Sequence, residues 1–260
     1  MVLIPWYAPM KTEKTEAKPG RALNESFGGL LDRVLRDREP LFGELFEGRN
    51  LGKNLRWFCL TIVCLSGFYG LTMGLAGLVS NIGTGLLQMV SSAIKVPVLY
   101  LLSVAVCYPV LFIVVVLMGS KLHFTQTLGL ILLALTLNSI LLASCAPIGL
   151  FFFFTGASYH FLKVLHVAIM AFSGCWAMLA LWQGLQAVCE KSALYPKRAI
   201  RILQVWMLVF GLVGTQMAWS LRPFVGSPDL RFEWLRMNQD GNFYEAVWYS
   251  VRQLGSDRRE

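Results

Sequence analysis

The chain has 260 residues, 56% of them hydrophobic, a mean hydropathy of +0.58 and a formal charge of +8. Between Trp57 and Cys189 the Asp, Glu, Lys and Arg residues are Lys95, Lys121 and Lys163 alone. A water-soluble domain cannot leave that much sequence uncharged and still cover its surface, whereas a helical bundle solvated by lipid can. The positive surplus does not describe a nucleic-acid surface either. Residues 1–56 hold ten Lys/Arg against eight Asp/Glu, and the segment from Ser220 balances six against six. The excess therefore lies beside the apolar runs, where it sets topology, and no nucleic-acid partner is expected.

Taken in order, the chain predicts an all-α fold: a polytopic transmembrane bundle of five spans with amphipathic helices at both ends. Residues 1–54 form a charged cytoplasmic segment, 55–220 the membrane domain, and 221–260 an amphipathic tail on the periplasmic side. The opening MVLIPWYAPM is short and has no cationic start, so it does not read as a signal peptide, and the first span acts as an uncleaved anchor. Leu23, Phe27, Leu30, Leu31, Val34 and Leu35 then recur with a helical period. Pro40 ends or breaks that helix, and Leu41, Phe42, Leu45 and Phe46 make a second short piece. Both are expected on the cytoplasmic membrane surface, as solvated helices ahead of the membrane domain, or against a partner.

The first span, Leu55–Ser80, carries Gly67, Gly70, Gly74 and Gly77 on one face, a strip that permits close helix packing. Residues 81–94 are polar-spotted and read as an interfacial or re-entrant element. Lys95 and Pro97 then mark the start of a second span that runs to Gly119, with Pro109 inside it. Ser120, Lys121 and His123 form a turn before the third span, Phe124–Ala146. Asn138 and Ser139 are its polar interior residues, with Asn138 expected to bond a neighbouring helix. Pro147 and Gly149 interrupt the run before Phe151–Phe154, and residues 147–161 could also re-enter the membrane. The fourth span covers Leu162–Ala187. The fifth, Ile202–Ser220, carries Gly211, Gly214 and Ala218, a small face suited to packing against the first-span glycines. In the tail, Ser227-Pro228 starts a helix, Asp240-Gly241 is a turn, and Asn242 with Glu245 has capping-box spacing. Tyr244, Val247, Trp248, Val251 and Leu254 continue it as a helix with an aromatic face.

With the amino terminus inside, eight cationic residues flank the inner ends of the five spans and four flank the outer ends. No Walker loop, Rossmann fingerprint, HExxH or G-x-S-x-G is present. No carboxylate lies within an apolar run, and Lys95, Lys121 and Lys163 fit near span ends, from which they can snorkel. The six cysteines form no CxxC. His160 and His166 are six apart and lack a neighbouring carboxylate, so they read as interfacial or hydrogen-bonded rings. A cofactor supplied by a partner is the one use that would change that reading. No catalytic, cofactor or metal residue is assigned, and no enzyme activity is expected.

Lys95-Val96-Pro97, Cys107-Tyr108-Pro109, Gly119-Ser120-Lys121, Asn138 and Ala146-Pro147 occur in an order that resembles the bacterial Yip1-like multispanning membrane proteins. The ending MAWSLRPFVGSPDLRFEW with GNFYEAVW is similar to one in a poorly characterised branch of that family. The resemblance implies a helical membrane domain, commonly of five spans, with no catalytic set to carry over. The function expected is a non-catalytic subunit or scaffold of an assembly in the bacterial cytoplasmic (inner) membrane. Its partners would be other integral membrane proteins, a second copy of itself, and lipid. A small-solute channel or transporter is the alternative.

Overall fold

The computed structural model describes residues 27–36, 38–79, 82–117, 122–191, 197–226, 232–235 and 241–256. Among them the fold is helical without a strand. The helices are α1 (Phe27–Arg36), α2 (Arg38–Phe46), α3 (Leu51–Gly74), α4 (Ile82–Leu117), α5 (Phe124–Phe154), α6 (Tyr159–Lys191), α7 (Lys197–Ser220) and α8 (Phe243–Ser256). A 3-10 turn, Leu75–Val79, extends α3. Four helical stretches are long and apolar enough to cross a bilayer: Leu51–Leu78, Gly83–Val114, Phe124–Phe154 and Tyr159–Gln183. In α7 the corresponding apolar stretch is shorter, Leu208–Ser220. Its first turns carry Lys197, Arg198 and Arg201.

α5 lies at the centre. From Ile131 to Ile140 every side chain is buried, so the helix is enclosed around its whole circumference rather than along one stripe. It packs against α3 and α6, with α1 and α2 closing a further side. Its start is held by Gln126. The His123 backbone N–H donates to Gln126 Oε1 at 2.7 Å, and Gln126 Nε2 donates to the Phe46 carbonyl at 2.7 Å. One side chain thus caps α5 and ties it to the end of α2.

The proline positions correct two expected boundaries. Residues 82–94 are not a separate interfacial or re-entrant element, because α4 is continuous from Ile82 to Leu117. Pro97 lies well inside that helix, not in its first turn. It has no N–H to give to the Ala93 carbonyl, and that oxygen faces Gly67 of α3, 3.1 Å from where a Cβ there would sit. A neighbouring helix that approaches this closely shields the unbonded carbonyl, which is how proline is tolerated inside membrane helices. Likewise α5 passes through Pro147 to Phe154. The connection to α6 is the short turn 155–158, with Gly156 at φ 76° and the Thr155 and Gly156 N–H groups donating to the Phe151 and Phe153 carbonyls. A re-entrant 147–161 is therefore corrected to helix, turn, helix. Pro40 sits in the first turn of α2, where the missing donor has no intrahelical acceptor to lose.

The amino-terminal pair is also placed differently from expectation. Leu30, Val34, Leu41, Phe42, Leu45 and Phe46 belong to the main core, together with Leu133, Ala134 and Leu137 of α5 and Ala180 and Leu181 of α6. The apolar face of α1 and α2 is thus covered within the chain and not left for a membrane surface. Glu44 fixes the pair: it accepts from Arg33 at 2.6 Å and from Asn54 Nδ2 at 3.4 Å, joining α1, α2 and α3. Segment 1–26 and the Ser120–Lys121 turn, Ser227-Pro228 and Asp240 lie outside the described residues.

Candidate functional site

Where α7 ends, the chain turns back into the bundle. Leu221 N–H donates to the Met217 carbonyl, the Arg222–Pro223 bond is cis, and Phe224, Val225 and Gly226 follow in an irregular segment. That segment lies along the face of α4 that carries Gln88, Ser92 and Lys95. Those three are spaced by four and three residues, so they form one polar stripe on the helix. Gln88 Nε2 donates to the carbonyls of Pro223 (3.0 Å) and Phe224 (3.1 Å) and to Ser92 Oγ (3.2 Å). Ser92 Oγ donates to the Phe224 carbonyl at 2.5 Å, and Lys95 Nζ to the Pro223 carbonyl at 3.0 Å. Two adjacent backbone carbonyls therefore collect all three donors of the stripe. An irregular backbone cannot satisfy its own carbonyls, so a buried one requires such partners.

Lys95 is 2% exposed, which overturns its expected snorkelling position at a span end. Its ammonium also sits 5.6 Å from the centre of the Trp234 ring. The segment also meets the turn after α3 in close backbone contact. A Cβ at Gly226 would fall 2.5 Å from Gly77 Cα and 3.2 Å from Gln88 Cγ. The arrangement is a latch: α4 donates, the post-α7 segment accepts, and Gly226 and Gly77 let that segment approach the 3-10 turn that extends α3.

Beside the latch is a second buried link. Tyr69 Oη and His166 Nδ1 are 2.9 Å apart, with the rings edge to face, and either can be the donor according to the imidazole tautomer. Gly149 makes room for the ring: a Cβ there would lie 3.0 Å from His166 Cε1. α3, α5 and α6 thus converge on one hydroxyl–imidazole pair. It shares an apolar cluster with Val225 of the latch. Tyr69→Phe is expected to cost about 1–3 kcal/mol, because it strands a buried ring nitrogen. Adding His166→Leu should restore part of that loss, as read from unfolding midpoints in detergent; no recovery in the double variant would rule out the pair as the cause.

The glycine strip of the first span faces α4. A Cβ at Gly70 or Gly74 would collide with the backbone at Ser92 or Met89, reaching 2.8 Å from the Ser92 carbonyl carbon and the Met89 nitrogen respectively. At Gly77 it would reach Gln88 Cβ at 3.2 Å. Gly211 and Gly214 do not supply the other half of this contact, since a Cβ at either meets nothing within 4 Å. The expected pairing of that face, with Ala218, against the first span is replaced by α3 on α4, a sequence-adjacent pair joined by a short connection. α7 instead lies along α4 in the opposite direction: Trp206 Nε1 donates to the Cys107 carbonyl at 3.2 Å, while Pro223 meets Lys95.

Asn138 is 4% exposed, and its Oδ1 is enclosed without a partner, as are Ser91 and Ser103 Oγ. Ser139 Oγ donates at 2.9 Å to the Leu135 carbonyl of its own helix. His160 stands apart from His166, with its ring 5.8 Å from that of Tyr249 on α8. Among the described residues no three His, Cys, Asp or Glu side chains group as a metal site, and five cysteines are free thiols.

Comparison with protein-family models, with curated proteins and with solved structures gave no match. The latch was not anticipated in the sequence, although the Gln88, Ser92 and Lys95 spacing was a usable signal for a polar stripe inside an apolar helix. What that stripe faces lies 128 to 136 residues away, so only the fold could supply the acceptor.

At the far end of the tail, α8 has a defined cap and a docked side. The Glu245 N–H donates to Asn242 Oδ1 at 3.0 Å, and the Asn242 N–H to Glu245 Oε2 at 3.3 Å. Lys163 of α6 donates to the Ala246 carbonyl at 3.4 Å, and Tyr244 Oη lies 3.1 Å from Thr215 Oγ1 of α7. Trp248 and Tyr249 point outward, 59% and 57% exposed, with the Arg252 guanidinium 5.3 Å from the centre of the Trp248 ring.

Proposed function

We propose that this chain is a non-catalytic integral membrane subunit or scaffold of a bacterial inner-membrane assembly, a Yip1-like protein in which α7 makes a fifth crossing. In this reading the amino terminus is cytoplasmic and the tail periplasmic. The antiparallel course of α7 beside α4 supports the extra crossing, because it carries the chain from the end of α6 back to the start of α4. The observation that carries the reading is the latch. Three buried side-chain donors of α4 hold the polypeptide itself, and beyond that anchor α8 presents Trp248 and Tyr249. Amphipathic rings of this kind suit a membrane interface or a neighbouring subunit.

Native mass analysis of the full chain purified in mild detergent tests it. A stoichiometric second protein or second copy is expected, and Trp248→Ala with Tyr249→Ala should release it. A stable monomer in native membranes and in detergent alike would refute the assembly role. Cysteines introduced at each terminus should label from opposite sides, and same-side labelling would remove the fifth crossing. A small-solute channel is the second reading, favoured by the enclosed oxygens of Ser91, Ser103 and Asn138. Solute flux into proteoliposomes that disappears in Asn138→Leu would establish it.

A further inference from the structure

α8 bridges two neighbouring helices at one end of the bundle. Tyr244 Oη meets Thr215 Oγ1 of α7 at 3.1 Å, Lys163 of α6 donates to the Ala246 carbonyl, and the His160 ring of α6 packs against that of Tyr249. A helix that touches α7 at one position and α6 within the next few residues runs across both of them and along neither. Its depth follows from the same contacts. His160 and Lys163 lie in the first two turns of the apolar stretch Tyr159–Gln183, and Thr215 lies in the last two turns of α7. α8 is therefore level with the helix ends, which is the edge of the hydrocarbon when α6 crosses a bilayer. Its two sides differ in character. Ala246, Val247, Ser250 and Leu254 are buried or half-buried, whereas Tyr244, Trp248, Val251 and Arg252 are exposed at a spacing of three or four residues. Glu245 is turned back into the cap with Asn242.

We propose that α8 is an in-plane helix seated in the lipid interface at that end of the bundle, with Tyr244, Trp248, Val251 and Arg252 at the boundary between headgroups and acyl chains. The composition of the face fits that boundary. Ring bodies and Val251 meet the acyl chains, while the phenol, the indole N–H and the guanidinium reach the wet layer. The Arg252 guanidinium, 5.3 Å from the centre of the Trp248 ring, shares one level with the indole. The partner is the leaflet surface, and no particular headgroup is selected. Lipid takes Trp248, and Tyr249, about 100° further round the helix, is left for a neighbouring subunit. The seating rests on the membrane reading above and holds whichever side of the membrane that end faces.

Fluorescence quenching of the full chain in phosphatidylcholine vesicles tests the seating, with the signal of Trp248→Phe subtracted to isolate one indole among eight. Bromines placed high on the acyl chains should quench the Trp248 component more than bromines near the chain ends, and aqueous iodide should quench it least. Strongest quenching by iodide puts α8 in water. Deep bromines that quench as well as shallow ones put it in the bilayer core, and indifference to all three puts a second copy over it. Each of these overturns the proposal. Hydrogen exchange in the same vesicles gives an independent reading. Trp248→Glu should speed exchange across α8 by roughly tenfold or more and leave the middle of α5 unchanged. In water the same substitution would be neutral or favourable, because it puts a carboxylate one turn before Arg252, so unaltered or slower exchange in α8 overturns the proposal too. If bromine quenches none of the eight tryptophans, the membrane reading itself falls, and this proposal with it.

Discussion

Replacing Gly74 with leucine is expected to force α3 and α4 apart and to destabilise the chain by about 3 kcal/mol or more. The position has no room to yield. A side chain there meets the Met89 backbone rather than the tip of a flexible side chain, so relief requires moving a whole helix. The displacement would propagate, because Gln88 is next to Met89 and holds the post-α7 segment through two carbonyls. Gly211→Leu is the matched control. It adds the same bulk where nothing lies within 4 Å, and a change within about 0.5 kcal/mol is expected. Unfolding midpoints of the two variants in one detergent check this; similar losses at both positions would mean that the α3–α4 contact is not the reason for Gly74.

The second large effect is expected at the latch. Gln88→Leu combined with Ser92→Ala removes both side-chain donors to the Phe224 carbonyl while leaving Lys95 on Pro223. A buried carbonyl stripped of its partners costs about 1–3 kcal/mol, and local opening of the segment becomes easier by up to roughly 100-fold. Hydrogen exchange reads this directly. Protection should fall at Val225 and Gly226 and remain unchanged in the middle of α5, where Ile131 to Ile140 are enclosed on all sides. Uniform loss of protection across both regions would show general unfolding instead of an opened latch. Lys95→Met should act in the same direction, because it takes the ammonium from the Pro223 carbonyl and leaves the Gln88 bond to that carbonyl in place.

These two expectations rest on different relations between residue and fold. The tight strip on α3 was legible as a small-residue face, because periodicity along one helix is a local property. Its partner was not. Gly211 and Gly214 offered the same local pattern and remain open, while the surface that fills the strip is an irregular-looking stretch, 85–93, that seemed too polar to be part of a long apolar helix. Gln88, Ser91 and Ser92 gave that impression. Once buried against α3 and the post-α7 segment, they are interior groups and α4 runs through them without a break. Pro97 and Pro147 misplaced helix ends for a related reason. A missing N–H costs most where the freed carbonyl has no shield, and here a neighbouring helix can provide one.

What the sequence determined by itself was the apolar solvent and the helical class. Three charges between Trp57 and Cys189 leave no alternative to lipid or deep burial. Local spacing also predicted the Asn242–Glu245 cap, whose two partners sit within one turn. Only the tertiary structure decided that α1 and α2 bury their apolar face on α5 and α6, that Tyr69 meets His166, and that Lys95 is held by Pro223. Each of those joins groups separated by long stretches of chain. Helix-forming and lipid-preferring tendencies add up residue by residue along a sequence, whereas the partner of a buried donor depends on which backbones can approach, and that is a property of the packed bundle.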